Sequence, residues 1–388
     1  MAKKSGVWKV FSVIGLLLLA VLLCYFSVAM YFYFGKPNDI SSKLKVWNLM
    51  SNESVGEMYV DASFDIREVN NSNETGYYGI NLDERGYVST LASNVEEGET
   101  YLLYRKNGEI YSGTCVFDEE NFNLAIIKIN AENLSLPYVK VGTMNKPIFN
   151  STYIAIGNPL EENNITNVNE VVKYDYAFNT TYEVDGLDVV DYISENSVYY
   201  TIDGGDETSQ WALFDKKGNL IGLTYAKAYN VLDLTHPLYF AISVELIDNV
   251  LDKIISLNGE VFKSDFVDSF KGFDMYELEC YYNYALDNSS KTKSIYFDGK
   301  WFEIPKEVES AYSDGMNGYY LVEDLNYNGT TIASNSLIAS VLTNGRSYII
   351  ERRDDLFEII YSLESGDKIT INYTNFTENQ NETKVFTI

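Results

Sequence analysis

One histidine, His236, stands in a chain of 388 residues. Chemistry that needs an imidazole near neutral pH must run through that residue, and a metal site built from several histidines is excluded. Cysteine is equally sparse. Cys24, Cys115 and Cys280 are odd in number and show no CxxC spacing, so neither a disulfide framework nor a zinc knuckle is present. Two buried thiols at Cys115 and Cys280 are expected in preference to a bridge between them. Asp203, Asp206 and Glu207 gather carboxylates, but their spacing matches no calcium loop, so the reading is a solvated acidic loop. No metal and no cofactor is expected.

The charge balance narrows the partners. Lys and Arg number 29 against 56 Asp and Glu, a net charge of −27. Nucleic acid needs clustered cations against its phosphates, so a nucleic-acid partner is excluded. A protein lying flat on anionic lipid is disfavoured for the same reason. Hydrophobic residues at 46% and charged residues at 22% are ordinary for a folded chain, and the length allows more than one domain.

The elements that must position any site begin after an apolar run. Residues 10–34 are almost unbroken in their hydrophobicity, long enough to cross hydrocarbon. Lys3, Lys4 and Lys9 precede the run, which puts the N-terminal tail, 1–9, in the cytoplasm and the acidic bulk outside. The run exceeds a signal-peptide core and no A-x-A follows it, so it reads as an uncleaved single-pass anchor of the cell membrane. Residues 35–55 read as a linker. From about Val60 to Tyr225 short apolar stretches alternate with turn signals such as Arg85-Gly86, Asn107-Gly108 and Lys217-Gly218, a pattern for an antiparallel sandwich or barrel. LAIIKI, 124–129, reads as a buried strand, and 151–160 as another that ends at Gly157-Asn158-Pro159. Leu246, Ile247, Val250, Leu251, Ile254 and Ile255 keep helical spacing, with Ser243 placed to cap and Gly259 to stop the helix. Beyond it, helices are expected at Lys306–Ala311 and from a capping Asp354 through Ile360. Strands are expected at 318–325, at KITINY and at the final KVFTI, and a hairpin at Asp298-Gly299.

The order of these pieces carries a resemblance. GINLDERGYVSTLASNV (79–95), NGEIYSGTCVFDEENFNLAIIKIN (107–130), YIAIGNPL (153–160), TIDGGDETSQWALFDKKGNLIGL (201–223) and LYFAISVELIDNVLDKI (238–254) follow one another as the motifs of the HtrA (DegP-like) serine proteases do. The likeness covers about 60–255, and the segment past Val261 resembles the PDZ domain of that family. The resemblance implies a mainly β protein. A trypsin-like double β-barrel would occupy 56–261 and a PDZ-like α+β domain 262–388, behind the N-terminal transmembrane helix.

The resemblance also sets the catalytic positions. The family's histidine falls on Ser93, its aspartate on Asn123 and its nucleophile on Ser209. A serine hydroxyl attacks a carbonyl only when a base takes its proton, and Ser93 is no base at neutral pH. The oxyanion-forming residues become Glu207 and Thr208. A carboxylate at the first opposes an oxyanion, and its Cβ restricts the turn. Gln210-Trp211 replace the glycines after the nucleophile and are expected to fill the cleft. His236 is read as a loop residue beside Pro237, away from the base position.

For the PDZ-like part, Gly272, Phe273, Asp274 and Met275 correspond to the carboxylate-binding loop, with Phe357 and Ile359 on the helix opposite. An extended peptide would add there as a strand. Asp274 would repel a free C-terminus. The implied function is an extracytoplasmic pseudoprotease that holds a polypeptide, or an envelope or membrane protein partner, without cleaving it. Family analogy adds a possible trimer. The alternatives are a residual serine endopeptidase with an unconventional base and a structural protein of the cell envelope.

Overall fold

A computed structural model describes residues 19, 21–23, 52–71, 76–119, 123–142, 153–161, 164–173, 178–184, 187–193, 198–202, 211–215, 218–230, 233–262, 264–275, 294–297 and 300–388. Among these residues no helix is long and apolar enough to cross a membrane. The anchor read at 10–34 lies outside them except for Leu19 and residues 21–23, which are helical and exposed.

Helix α1, Asn52–Val60, starts inside the stretch read as linker and leads into six strands: β1 Ser63–Glu68, β2 Tyr77–Asn81, β3 Tyr87–Thr90, β4 Thr100–Tyr104, β5 Ile110–Glu119 and β6 Leu124–Ile129. Hydrogen bonding in the order β1-β2-β3-β6-β5-β4 closes them into a barrel. Gly86 and Gly108, both with positive φ, make the β2–β3 and β4–β5 turns that their sequence signals promise. β6 is apolar except for Lys128 because both its faces are covered. Ala125, Ile127 and Ile129 point into the barrel with Phe64, Ile66 and Leu103, while Leu124 and Ile126 join the larger core outside it. Cys115 lies in the barrel interior as a free buried thiol, and burial pushes it up to about 12. Cys280 is outside the described residues.

A second group follows: β7 Lys140–Val141, β8 Tyr153–Ile156, β9 Ile165–Lys173, β10 Phe178–Val184, β11 Leu187–Ile193, β12 Val198–Ile202, β13 Ala212–Phe214, β14 Asn219–Asn230 and β15 Asp233–Ser243. The sheet order is β13-β8-β9-β12-β15-β14-β7, and β13 also pairs with β14, so six of its strands form a second closed ring. β10 and β11 form a separate hairpin. Tyr59 of α1 stacks on Phe214 of β13, ring centroids 4.1 Å apart and planes 9° from parallel. That contact fixes α1 on the second ring.

Helix α2, Glu245–Ser256, follows directly on β15. Its buried face carries Ile247, Val250 and Ile254, the spacing read from the sequence. The cap differs from expectation. Ser243 ends β15, and Val244 stands at the helix start with no side-chain cap. The chain leaves α2 through Asn258 and Gly259, both with positive φ.

The remaining elements are α3 Asp265–Asp268, β16 Gly272–Asp274, β17 Ser294–Phe297, β18 Lys300–Glu303, α4 Lys306–Ser313, β19 Tyr319–Leu321, β20 Leu325–Tyr327, β21 Thr330–Ile332, β22 Ser336–Thr343, β23 Arg346–Ile349, α5 Arg353–Ser362, β24 Lys368–Asn375 and β25 Gln380–Thr387. A sheet runs β16-β19-β22-β24-β25, with β23 on β22. One face, with Tyr319, Ile338 and Tyr373, shares its core with Phe357 of α5, and the other, with Phe273, Tyr320 and Leu337, with Val308 and Ala311 of α4. The α5 start is capped by Asp355, which accepts from the N–H of Glu351 and of Arg352, rather than by the expected Asp354. β17 and β18 pair as the Asp298-Gly299 signal requires, and the two turn residues lie outside the described set.

Candidate functional site

β3 ends at Thr90, and Ala92–Asn94 make a short 3-10 turn beside the start of β6. Asn123 opens β6 with φ 50°, a left-handed conformation that asparagine tolerates well. That conformation lets it hold the turn twice. Its carbonyl oxygen accepts from the N–H of Ala92 at 3.1 Å, and its side-chain Oδ1 accepts from the N–H of Ser93 at 2.9 Å. Ser93 is exposed and Asn123 half-buried. Two of the three residues singled out for catalysis are therefore neighbours. Together they offer a hydroxyl and an amide, and neither takes a proton at neutral pH.

Ser209, Glu207, Thr208 and the acidic residues Asp203 and Asp206 lie outside the described residues. The described chain resumes at Trp211, which is 2% exposed, and a Cβ placed on Gly157 would meet its ring at 3.2 Å. The indole is thus buried against the turn that follows β8. His236 lies within β15, at the irregular stretch where its register with β14 shifts, rather than in a loop. Among the described residues no group of three or more His, Cys, Asp or Glu gathers as a metal site would require.

The two rings are tied by polar groups that sequence patterning did not single out. Asp65 of β1 is 1% exposed. It pairs with Arg67 and accepts from Asn158 Nδ2 at 2.6 Å. Asn158 Oδ1 also accepts from the N–H of Leu160 at 2.9 Å, which shapes its turn. Local patterning gave no signal for this tie, because Asp65 alternates with Phe64 and Ile66, which fill the first barrel, and so points away from that interior.

The second set of residues divides between two faces. Gly272, Phe273, Asp274 and Met275 are all buried, as is Phe357, while Ile359 is half-buried. Strand alternation sends Asp274 toward α5, where Oδ1 accepts from the N–H of Arg353 at 2.6 Å. A carboxylate there faces the positive end of the helix. Phe273 and Met275 point the opposite way, into the core under α4. The structure therefore keeps Phe273 apart from Phe357 and Ile359, which the sequence reading had placed in one groove. Among the described residues β16 pairs with β19 alone.

α5 is also held from below. Lys253 of α2 donates to the carbonyl oxygens of Tyr361 and Leu363, the unsatisfied acceptors at the end of α5, and burial lowers the Lys253 pKa. Tyr361 donates to the buried Glu119 at the end of β5, beside an aromatic cluster with Phe117 and Phe262. Burial first, then Glu119, raises the Tyr361 pKa.

Part of the chain is similar to known serine endoproteases. The chain is 28% identical over 81 residues to the serine endoprotease DegS of Salmonella typhimurium, which covers 21% of this chain and 22% of that protein. It is 24% identical over 191 residues to the DegS of Haemophilus influenzae, 48% of this chain and 52% of the relative. A probable periplasmic DegP-like serine endoprotease of Brucella suis matches at 31% over 81 residues, 21% of this chain and 16% of that protein. The chain is HtrA-like. The HtrA-like matches span from about a sixth to about half of the relatives' length, and no protein-family model matches the chain.

Proposed function

We propose that this chain is a membrane-anchored, extracytoplasmic HtrA-like pseudoprotease that binds a polypeptide or an envelope protein partner without cleaving it. The observation that carries the reading is the contact between Ser93 and Asn123. The likeness sets these residues where a protease of the family holds its histidine and aspartate. Asn123 Oδ1 still orients the backbone there, but the imidazole it would serve is a serine. Without that base a serine nucleophile loses about 10⁶ in turnover. The sole histidine is committed to β15.

The fold supports the same reading. Two closed six-stranded rings in succession, then a six-stranded sheet flanked by α4 and α5, fit a trypsin-like double barrel followed by a PDZ-like domain. The domain limits are 56–261 and 262–388, behind an anchor at 10–34 and a cytoplasmic tail at 1–9. Binding would use the β16 edge beside α5, where main-chain hydrogen bonds give affinity without a particular side-chain motif. Asp274 already occupies the helix start, so internal peptide segments are favoured over free C-termini. A trimeric assembly follows by family analogy.

Incubation of the purified full chain with unfolded casein tests the proposal. No cleavage products should form, and products that vanish in Ser209→Ala would overturn it.

A further inference from the structure

A pocket of about 110 Å³ opens on the α4 face of the C-terminal sheet, away from the β16–α5 edge. Three rings line it: Phe273 of β16, Tyr320 of β19 and Phe302 of β18. Phe273 and Tyr320 are 5.0 Å apart between centroids and nearly fully buried, while Phe302 is half-buried. Ile304, Val322, Ser334 and Asn335 add to the wall, and the Tyr320 hydroxyl donates to Asn335 Oδ1 at 2.9 Å.

The charged residue of the lining is Glu303, which is exposed and has no Lys or Arg partner among the described residues. Glu307, in the first turn of α4, adds a second carboxylate, and its charge reaches Tyr320. Burial and then Glu307 push that phenol up to about 12. The faces of aromatic rings carry negative potential, and the two carboxylates add to it. An anion is repelled from such a site. A neutral apolar molecule would gain the rings but nothing from the acids. A cation gains both, and the net charge of −27 draws cations toward the protein. Size narrows the class further. A cavity of about 150 Å³ takes benzene, so this smaller one suits a compact head such as a trimethylammonium group.

We infer that the pocket bounded by Phe273, Phe302, Tyr320 and Glu303 is a binding site for a quaternary ammonium head group. The rings surround the methyl groups, and Glu303 balances the charge at the mouth.

Calorimetric titration of the full chain with choline tests this, against 3,3-dimethylbutan-1-ol, its neutral carbon isostere. Choline should bind with an affinity on the order of millimolar and the isostere about tenfold more weakly. Glu303→Gln, which changes an exposed group and leaves the core intact, should weaken choline several-fold and the isostere hardly at all. Phe302→Leu should weaken choline as well. No saturable choline binding, equal affinity for the two compounds, or choline affinity unchanged in Glu303→Gln would each overturn the assignment.

Discussion

Replacing Tyr361 by phenylalanine should loosen the C-terminal sheet from the first barrel while leaving both folded. The phenol donates to Glu119, which is 6% exposed, so the substitution removes a hydrogen bond from a buried carboxyl group and keeps the ring among Phe117 and Phe262. A hydrogen bond to such a group contributes about 1.5–3 kcal/mol, and little packing is lost to offset it. At about 2 kcal/mol the equilibrium for opening this interface rises roughly thirty-fold. Amide hydrogen exchange reads that directly. Amides of α5 and of the end of β5 should exchange faster in Tyr361→Phe, while those of β3 and β6 keep their protection. Glu119→Leu should have a similar effect. The double variant should lose no more than about one single variant's worth, a coupling on the order of 1.5 kcal/mol. Unchanged exchange in Tyr361→Phe, or strict additivity in the double variant, would refute the claim that this hydrogen bond ties the two parts.

Other perturbations have equally definite outcomes. Phe357→Ala should destabilise the C-terminal sheet by about 3–5 kcal/mol, seen as a lower urea midpoint, because the ring is fully buried beside Phe270 and Tyr319. Alkali should destabilise the protein: burial raises Tyr59, Tyr78, Tyr361 and Tyr373 above their ordinary 10.0, so the unfolded chain loses those protons first. Stability is then full below about pH 10 and falls as pH rises beyond it, which thermal unfolding at stepped pH checks. Protease added to intact cells should remove residues 36–388, and digestion seen only after lysis would mean the opposite orientation.

Much of the fold was legible because local signals and tertiary needs agreed. LAIIKI had to be a strand covered on both sides, and Gly86 and Gly108 had to turn. The α2 stripe of Ile247, Val250 and Ile254 was visible as periodicity. The caps were not. Ser243 and Asp354 satisfy the usual start signals, yet β15 claims the first residue and Asp355 reaches the free N–H groups in place of the second. At the site, Ser93 and Asn123 could be set side by side only through the ordered motifs, since thirty residues separate them and neither carries a charge. Phe273 was placed in the wrong neighbourhood because a three-residue strand gives no alternation to show which face is buried. The Asp65–Asn158 and Tyr361–Glu119 contacts join residues 93 and 242 positions apart, beyond the reach of any local pattern.

The central claim is that Ser209 has no base. A fluorophosphonate probe reports this most directly, because it reacts with a serine only when that serine is activated. The full chain should remain unlabelled under conditions that label an active serine protease to completion. Stoichiometric labelling of the wild-type chain that disappears in Ser209→Ala would contradict the account.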